Sequence, residues 1–150
     1  MRFLIRKVYA ASVECAESTV GQIANGLVVY VGVANDDEIT DIEWGVKKIL
    51  GIRIFEDKSG KMNLPISEKM GILVISQFTL FGNLKKGYRP SFNRAAPPDL
   101  ACSMYDKFIE ILGDSFPGSL QTGKFGAHMR IALVENGPVT IWLDSQNSKY

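Results

Sequence analysis

The sequence predicts one α/β domain, a mixed sheet with two helices on one side of it. Three observations carry this. Two β-branched, nearly all-apolar runs, 26–34 and 71–80, have the composition of strands buried on both faces. Two other segments space their apolar residues at three and four, the period of a helix with one buried stripe. Two helices are too few to supply the crossovers of a purely parallel sheet, so some strands must pair antiparallel.

Residues 2–9, Arg-Phe-Leu-Ile-Arg-Lys-Val-Tyr, are expected to form a first strand and Gly26–Ala34 a second. Asn35-Asp36-Asp37 supplies turn and N-cap chemistry. From Glu38 to Leu50, Ile39, Ile42, Val46, Ile49 and Leu50 mark a helix that Gly51 can cap. Arg53-Ile54-Phe55 reads as a short strand, followed by the turn Asp57-Lys58-Ser59-Gly60. Gly71–Leu80 is the strongest strand signal. Residues 82–98 form a long basic loop without periodicity, of the kind that tends to carry function. Pro97-Pro98-Asp99 opens a second helix, with proline in the first turn, where its missing N–H costs nothing. Leu100, Met104, Phe108, Ile111 and Leu112 make its buried stripe and Gly113 ends it. Two closing strands, 126–135 and 138–144, are separated by Asn136-Gly137-Pro138.

The chain has 150 residues, 46% of them hydrophobic, enough for one packed core and no more than one domain. Seventeen basic residues against 16 acidic give a net charge of +1, far from the basicity of a protein that grips nucleic acid by bulk charge. An RNA partner would therefore have to be held by a local patch or through one end of the molecule. Cys15 and Cys102 are too far apart for a zinc or redox motif and are expected to be buried thiols. The N-terminal stretch lacks the features of a signal peptide, and no segment has the ~20 apolar residues of a membrane span. A cytoplasmic protein is expected.

The usual hydrolytic apparatus is missing. His128 is the one histidine, within Ala127-His128-Met129-Arg130, and is expected to be a strand side chain facing solvent or a neighbour. No ligand-spaced cluster suggests a metal, and no glycine-rich fingerprint suggests a nucleotide cofactor. Polar groups do appear where the buried run ends, at Ser76-Gln77-Phe78-Thr79. Strand ends commonly present N–H groups and hydroxyls to a cleft. On composition alone, hydroxyls satisfying local carbonyls is the better supported reading. Asn136-Gly137-Pro138 could bring a rigid backbone close to a ligand, yet locally a β-turn between two strands is favoured. Lys85, Lys86, Arg89 and Arg94, interleaved with Tyr88 and Phe92, suit phosphates and stacked bases as well as they suit a solvated loop.

Taken together, the segments resemble the D-aminoacyl-tRNA deacylase family along nearly the whole chain. The matching residues are Arg53-Ile54-Phe55-Glu56-Asp57, Gly60-Lys61-Met62-Asn63-Leu64, Ser76-Gln77-Phe78-Thr79-Leu80, Lys86-Gly87 with Arg89-Pro90-Ser91-Phe92, Ala95-Ala96-Pro97-Pro98, Thr122-Gly123-Lys124-Phe125-Gly126-Ala127 and Gly137-Pro138-Val139-Thr140. The resemblance implies a compact three-layer β/β/α fold working as a homodimer. It implies that Ser76, Gln77, Phe78 and Thr79 lie in the active site. It further implies that Gly137 and Pro138, joined by a cis bond, enter the partner subunit's site. There their backbone would clash with an L side chain, spare a D side chain, and find nothing to reject in glycine.

Catalysis would be substrate-assisted, the ribose hydroxyl next to the ester helping the attacking water, with main-chain groups near Phe78 stabilising the oxyanion. Thr79 ranks as a positioning residue rather than a nucleophile, having no neighbouring base in sequence. The acceptor end of an aminoacyl-tRNA is the expected partner, with Lys85, Lys86 and Arg89 as candidate contacts, and neither metal nor cofactor nor membrane is implied.

The chain departs from the family pattern in places. Arg6-Lys7 stands where Gln-Arg is common, leaving open which of the two orients the Gly-Pro pair. Glu135-Asn136 replaces Asn-Asp, and Tyr88 stands where a basic residue is frequent. Two other readings stay open: a relative that edits small L-amino acids, expected with a trans Gly137–Pro138 bond, and a noncatalytic RNA-end-binding dimer.

Overall fold

A computed structural model of the chain describes residues 1–147. Its main sheet has six strands (Fold elements β1, Arg2–Cys15; β2, Ser18–Ile23; β3, Gly26–Gly32; β6, Gly71–Ser76; β7, Ser119–Thr122; β8, Arg130–Asp144). Two helices, α1 (Ile39–Gly51) and α2 (Pro98–Ser115), and a small hairpin of β4 (Phe55–Glu56) and β5 (Met62–Leu64) complete it.

β1 organises the sheet. On one edge it pairs antiparallel with β3 along residues 2–8 and with β2 along residues 11–15, so β2 and β3 act as one bent partner. On its other edge it pairs antiparallel with β8, from Arg2 opposite Asp144 to Glu14 opposite Arg130. β3, β6 and β7 lie side by side in parallel. The connection from β3 to β6 carries α1 and that from β6 to β7 carries α2. Both crossovers advance in the same direction across the sheet, and their common handedness puts both helices on one face.

That face is the larger core. Leu27, Val29, Val31, Ile72 and Val74 project into it from the central strands and meet Ile42, Val46 and Ile49 of α1 and Met104, Phe108 and Leu112 of α2. The alternate residues Val28, Leu73 and Ile75 face a second core, closed by Val8, Ala11 and Val13 of β1, Ile23 of β2 and the half-buried Ile131 and Leu133 of β8. The outer parts of β1, β2 and β8 therefore fold over the face opposite the helices. This explains why β3 and β6 read as unbroken apolar runs.

Several expected boundaries move. β1 runs to Cys15 rather than residue 9, and β2, β5 and β7 are additional strands. The N-cap of α1 is Glu38, whose N–H donates to the Asp41 carboxylate at 2.8 Å, not the Asn35–Asp37 turn. Asp37 instead accepts the Ala34 N–H at 2.6 Å. Gly51 is the last residue of α1, with Ile52 as its cap, and α2 runs through Gly113 to Ser115 despite the ~1 kcal/mol that an interior glycine costs. Leu100 and Ile39 point outward, and Ala101 and Tyr105 take the expected place of Leu100 in the buried stripe. The short strand expected at 53–55 is the two-residue β4, starting two residues later, with Arg53 donating to Asn63 O at 2.6 Å. Cys15 is buried as expected, whereas Cys102 is partly exposed beside Asp106.

The largest correction concerns the C-terminal strands. They are one strand, β8, and both halves pair with β1. Between the pairs Arg6–Thr140 and Val8–Glu135, the single residue Lys7 faces the four residues 136–139. Asn136-Gly137-Pro138-Val139 is thus a bulge extruded from a continuous ladder, not a turn between strands.

Candidate functional site

The parallel ladder of β3 and β6 ends at Ser76, and Gln77 N–H still reaches Val31 O at 2.7 Å. Gln77 then leaves the extended conformation and the chain tightens into a 3-10 turn, Phe78–Phe81. The expected strand 71–80 therefore stops four residues early. Glycine makes this possible: a Cβ on Gly32 would meet Gln77 O at 3.0 Å, Phe81 Cε2 at 3.1 Å and Leu80 Cβ at 3.3 Å. The turn sits directly on the end of β3.

A 3-10 turn leaves its first N–H groups without internal acceptors. Leu80 N–H donates to Gln77 O at 3.3 Å and Gly82 N–H to Thr79 O at 2.9 Å. The N–H groups of Phe78 and Thr79 have no acceptor among the described residues. Phe78 and Thr79 are exposed, and the Gln77 side-chain amide donates to Thr79 Oγ1. Among the described residues, no carboxylate or histidine hydrogen-bonds to that hydroxyl.

Beside the turn lies a cavity of about 620 Å³ at the carboxyl ends of β3 and β6, where open α/β sheets commonly bind ligands. Ser76, Gln77 and Phe78 line it, so the structure brings three of the four motif residues together there, with Thr79 next along the turn. Phe78 and Phe92 form part of the wall, packed edge to face at 5.0 Å. Tyr105 and Phe125, 5.7 Å apart, also line it. Tyr105 donates its hydroxyl to Val74 O at 3.1 Å, and burial, reinforced by Asp106, pushes its pKa well up. It is a neutral, apolar wall. His128 also lines the cavity, but from the segment before β8 rather than from a strand, because the chain turns at Gly126 with a φ of +70°. It is exposed, as expected.

The remaining candidates lie elsewhere. The Gly137–Pro138 bond is cis, both residues are exposed on the bulge, and neither lines this cavity. At the foot of the bulge Arg6 donates through Nε to Glu135 at 2.6 Å, in an ion pair that is only part-exposed. Lys7 points to the other face, buried against the Phe55 ring at 5.4 Å with Glu56 at 3.8 Å. Of the two, Arg6 is the one that pairs at the foot of the bulge. Lys85, Lys86 and Arg89 are all exposed on the 82–97 loop, which is pinched by paired backbone bonds between Asn83 and Ser91 at 2.9 and 3.0 Å. Arg94 stands apart, with its guanidinium over Phe81 at 5.9 Å.

Sequence reasoning missed Arg2, Tyr105 and Phe125. The wall residues had a signal, since Tyr105 sits one residue from Met104 in the helical stripe. Arg2 had none: its Nε donates to Asp144 at 2.9 Å and its Nη1 to Leu80 O at 2.9 Å, both partners remote in sequence. Among the described residues no three His, Cys, Asp or Glu side chains gather to hold a metal ion, and no helix is long and apolar enough to cross a membrane.

A mixed α/β domain with free main-chain donors beside an apolar strand-end cavity defines a class of protein able to hold a small polar group through its backbone. Comparison with known proteins narrows the class. The family model described as D-Tyr-tRNA(Tyr) deacylase matches residues 4–144, and the chain belongs to this family of hydrolases. A D-aminoacyl-tRNA deacylase of Thermotoga petrophila is 50% identical over 146 residues, covering 97% of each chain. That of Clostridioides difficile is 45% identical over 149 residues, 99% of each. Among solved structures, one titled c-Myc DNA Unwinding Element Binding Protein superposes with a TM-score of 0.88 at 36% identity, covering 96% of this chain and 98% of that one. A probable eukaryotic D-amino acid tRNA deacylase superposes at 0.81 with 19% identity, covering 95% and 97%, a likeness of fold.

Proposed function

We propose that this chain hydrolyses the ester of D-aminoacyl-tRNA, and of glycyl-tRNA formed on the wrong tRNA, as a chiral proofreading enzyme of translation. The observation that carries the reading is the pair of free N–H groups, on Phe78 and Thr79, at the edge of the cavity. The terminal adenosine and the aminoacyl ester enter there. Water attacks the ester carbonyl carbon, and the oxygen that gains charge accepts hydrogen bonds from these main-chain donors. The C–O bond to the ribose then breaks, and the leaving oxygen takes up a proton, with the adjacent ribose hydroxyl relaying or orienting it. Free amino acid and tRNA depart. Ser76 and Gln77 shape the wall, and Thr79 positions rather than attacks, its hydroxyl engaged by Gln77. The reaction calls on no metal or cofactor.

Selection falls to Gly137 and Pro138 of a second copy in a homodimer of the three-layer β/β/α fold. In support, the dipeptide does not line its own chain's cavity, and β8 is a 15-residue strand paired along one edge with Val134 and Trp142 exposed. Such an edge ordinarily needs a cover. Lys85, Lys86 and Arg89 contact the acceptor-end phosphates, in a cytoplasmic setting where charged tRNA is found.

The test is deacylation of D-Tyr-tRNA, L-Tyr-tRNA and Gly-tRNA by chelator-treated protein. Release of D-Tyr and Gly with L-Tyr spared is expected. Comparable release of L-Tyr would replace the chiral reading with a relaxed editor, and no release would remove the enzymatic one.

A further inference from the structure

The 3-10 turn that carries the free Phe78 and Thr79 N–H groups is tied to the sheet by a side chain of β1, the strand next to β3. Arg2 lies in one cross-strand row with Gly32 on one side and Asp144 on the other. Two of its three guanidinium nitrogens have hydrogen-bond partners in different elements. Nε donates to Asp144 Oδ2 at 2.9 Å and Nη1 donates to Leu80 O at 2.9 Å. The flat cation also lies 4.5 Å from the Phe81 ring centre and 5.4 Å from that of Trp142. The side chain is 20% exposed and Asp144 10%, so the group is largely withdrawn from screening by water.

We infer that Arg2 is a positioning residue for the deacylation step, holding the turn so that its Phe78 and Thr79 N–H groups face the cavity. The inference rests on the reading that those groups meet the developing oxyanion. Leu80 O is a late carbonyl of the turn, where partial negative charge accumulates, and a cation there complements the dipole whose positive end is the free N–H pair. The Gln77 N–H bond to Val31 O anchors only the entry to the turn. Arg2 anchors its exit. A forked, planar donor can bond Asp144 and Leu80 at once while packing against two rings, and an ammonium group cannot reproduce that arrangement. Arg2 touches no reacting atom; it acts through the turn.

Arg2→Lys and Arg2→Met would be compared with wild type for kcat and KM on D-Tyr-tRNA, for Tm, and for the amide shifts of Phe78 and Thr79 in ¹H–¹⁵N spectra. Ile49→Val, in the helical core and remote from the turn, serves as a mild destabiliser. Arg2→Lys should lower kcat by on the order of tenfold, since small misplacements of catalytic groups are costly, with KM nearly unchanged and both amides shifted. Ile49→Val should do none of this. Wild-type kcat in Arg2→Lys, or an equal loss in Ile49→Val, would overturn the role. If Arg2→Met does not fold, Arg2→Lys decides alone. A wild type that releases no D-Tyr would instead sink the function itself, and this role with it, a result distinguishable from an active wild type beside an undiminished variant.

Discussion

The two motifs that the proposed reaction depends on are built in opposite ways. The turn from Gln77 to Phe81 is seated on Gly32, begun by a backbone bond to Val31 and held at its exit by Arg2. The bulge from Asn136 to Val139 stands out from the β1–β8 ladder with Gly137 and Pro138 exposed, braced only at its foot by the Arg6–Glu135 pair. One is embedded and complete within the chain. The other is offered outward. Donors that must stabilise charge gain from being fixed before the substrate arrives. A selector that works by collision needs stiffness and reach, and reach requires leaving its own fold.

Breaking the seat of the turn should have the largest effect. In Gly32→Ala the new methyl would meet Gln77 O and Phe81 at about 3.0–3.1 Å, tighter than ordinary packing tolerates. The turn must lift, and a displacement of catalytic donors by a fraction of an ångström to an ångström costs up to about a hundredfold. Kcat should fall on that order for D-Tyr-tRNA. The L-to-D ratio should stay the same, since the bulge is untouched.

Breaking the selector should do the reverse. Gly137 has a φ of +156°, and a Cβ there would fall 2.3 Å from Val139 N, so Gly137→Ala must rearrange the bulge. Discrimination between D-Tyr-tRNA and L-Tyr-tRNA should drop by roughly ten- to a hundredfold, the range a single steric contact supplies. Turnover of the D substrate should change less. Parallel loss of D turnover without any gain on L would show that the bulge supports the site rather than filters it.

The embedded region was the more legible of the two. Ile72–Ile75 announced a buried strand, and Ser76-Gln77-Phe78-Thr79 marked its polar end, because local composition decides both. The bulge was not legible in the same way. Asn136-Gly137-Pro138 has the chemistry of a turn, and only the pairing of Glu135 and Thr140 with the same strand, more than a hundred residues away, reveals a bulge. β7 escaped notice for a related reason. Ser119-Leu120-Gln121-Thr122 carries no apolar run and becomes a strand by lying beside β6. Arg2 was unreadable because its partners, Leu80 and Asp144, are brought to it by the register of three strands. Sequence patterning reports what a segment buries; it does not report which distant segment will cover it.

The basic loop sharpens the comparison on the binding side. Lys85, Lys86 and Arg89 are exposed and distant in character from the tight turn, so replacing Lys86 with alanine should raise KM several-fold and leave kcat alone. With a net charge of +1, few phosphates can be neutralised. The salt dependence of tRNA binding should be shallow, and Lys86→Ala should reduce its log–log slope by about one. A steep slope, unaltered by the substitution, would place the RNA on another surface.

The smallest effect is expected at Thr79, and it separates two meanings of an embedded site. If the turn acts through its backbone, Thr79→Ala keeps both N–H groups and loses only the hydroxyl that Gln77 engages. The rate should then fall only about two- to fivefold, in line with loss of one hydrogen bond of ~0.5–1 kcal/mol. If Thr79 Oγ1 were the nucleophile, the same change would remove an acyl-enzyme route and cost orders of magnitude more. Pre-steady-state release from D-Tyr-tRNA distinguishes the two, because a nucleophile would show a burst of tRNA ahead of free amino acid. Release of both products in step, with most of the rate retained in Thr79→Ala, would place the chemistry in the main chain that the strand end and Gly32 hold in position.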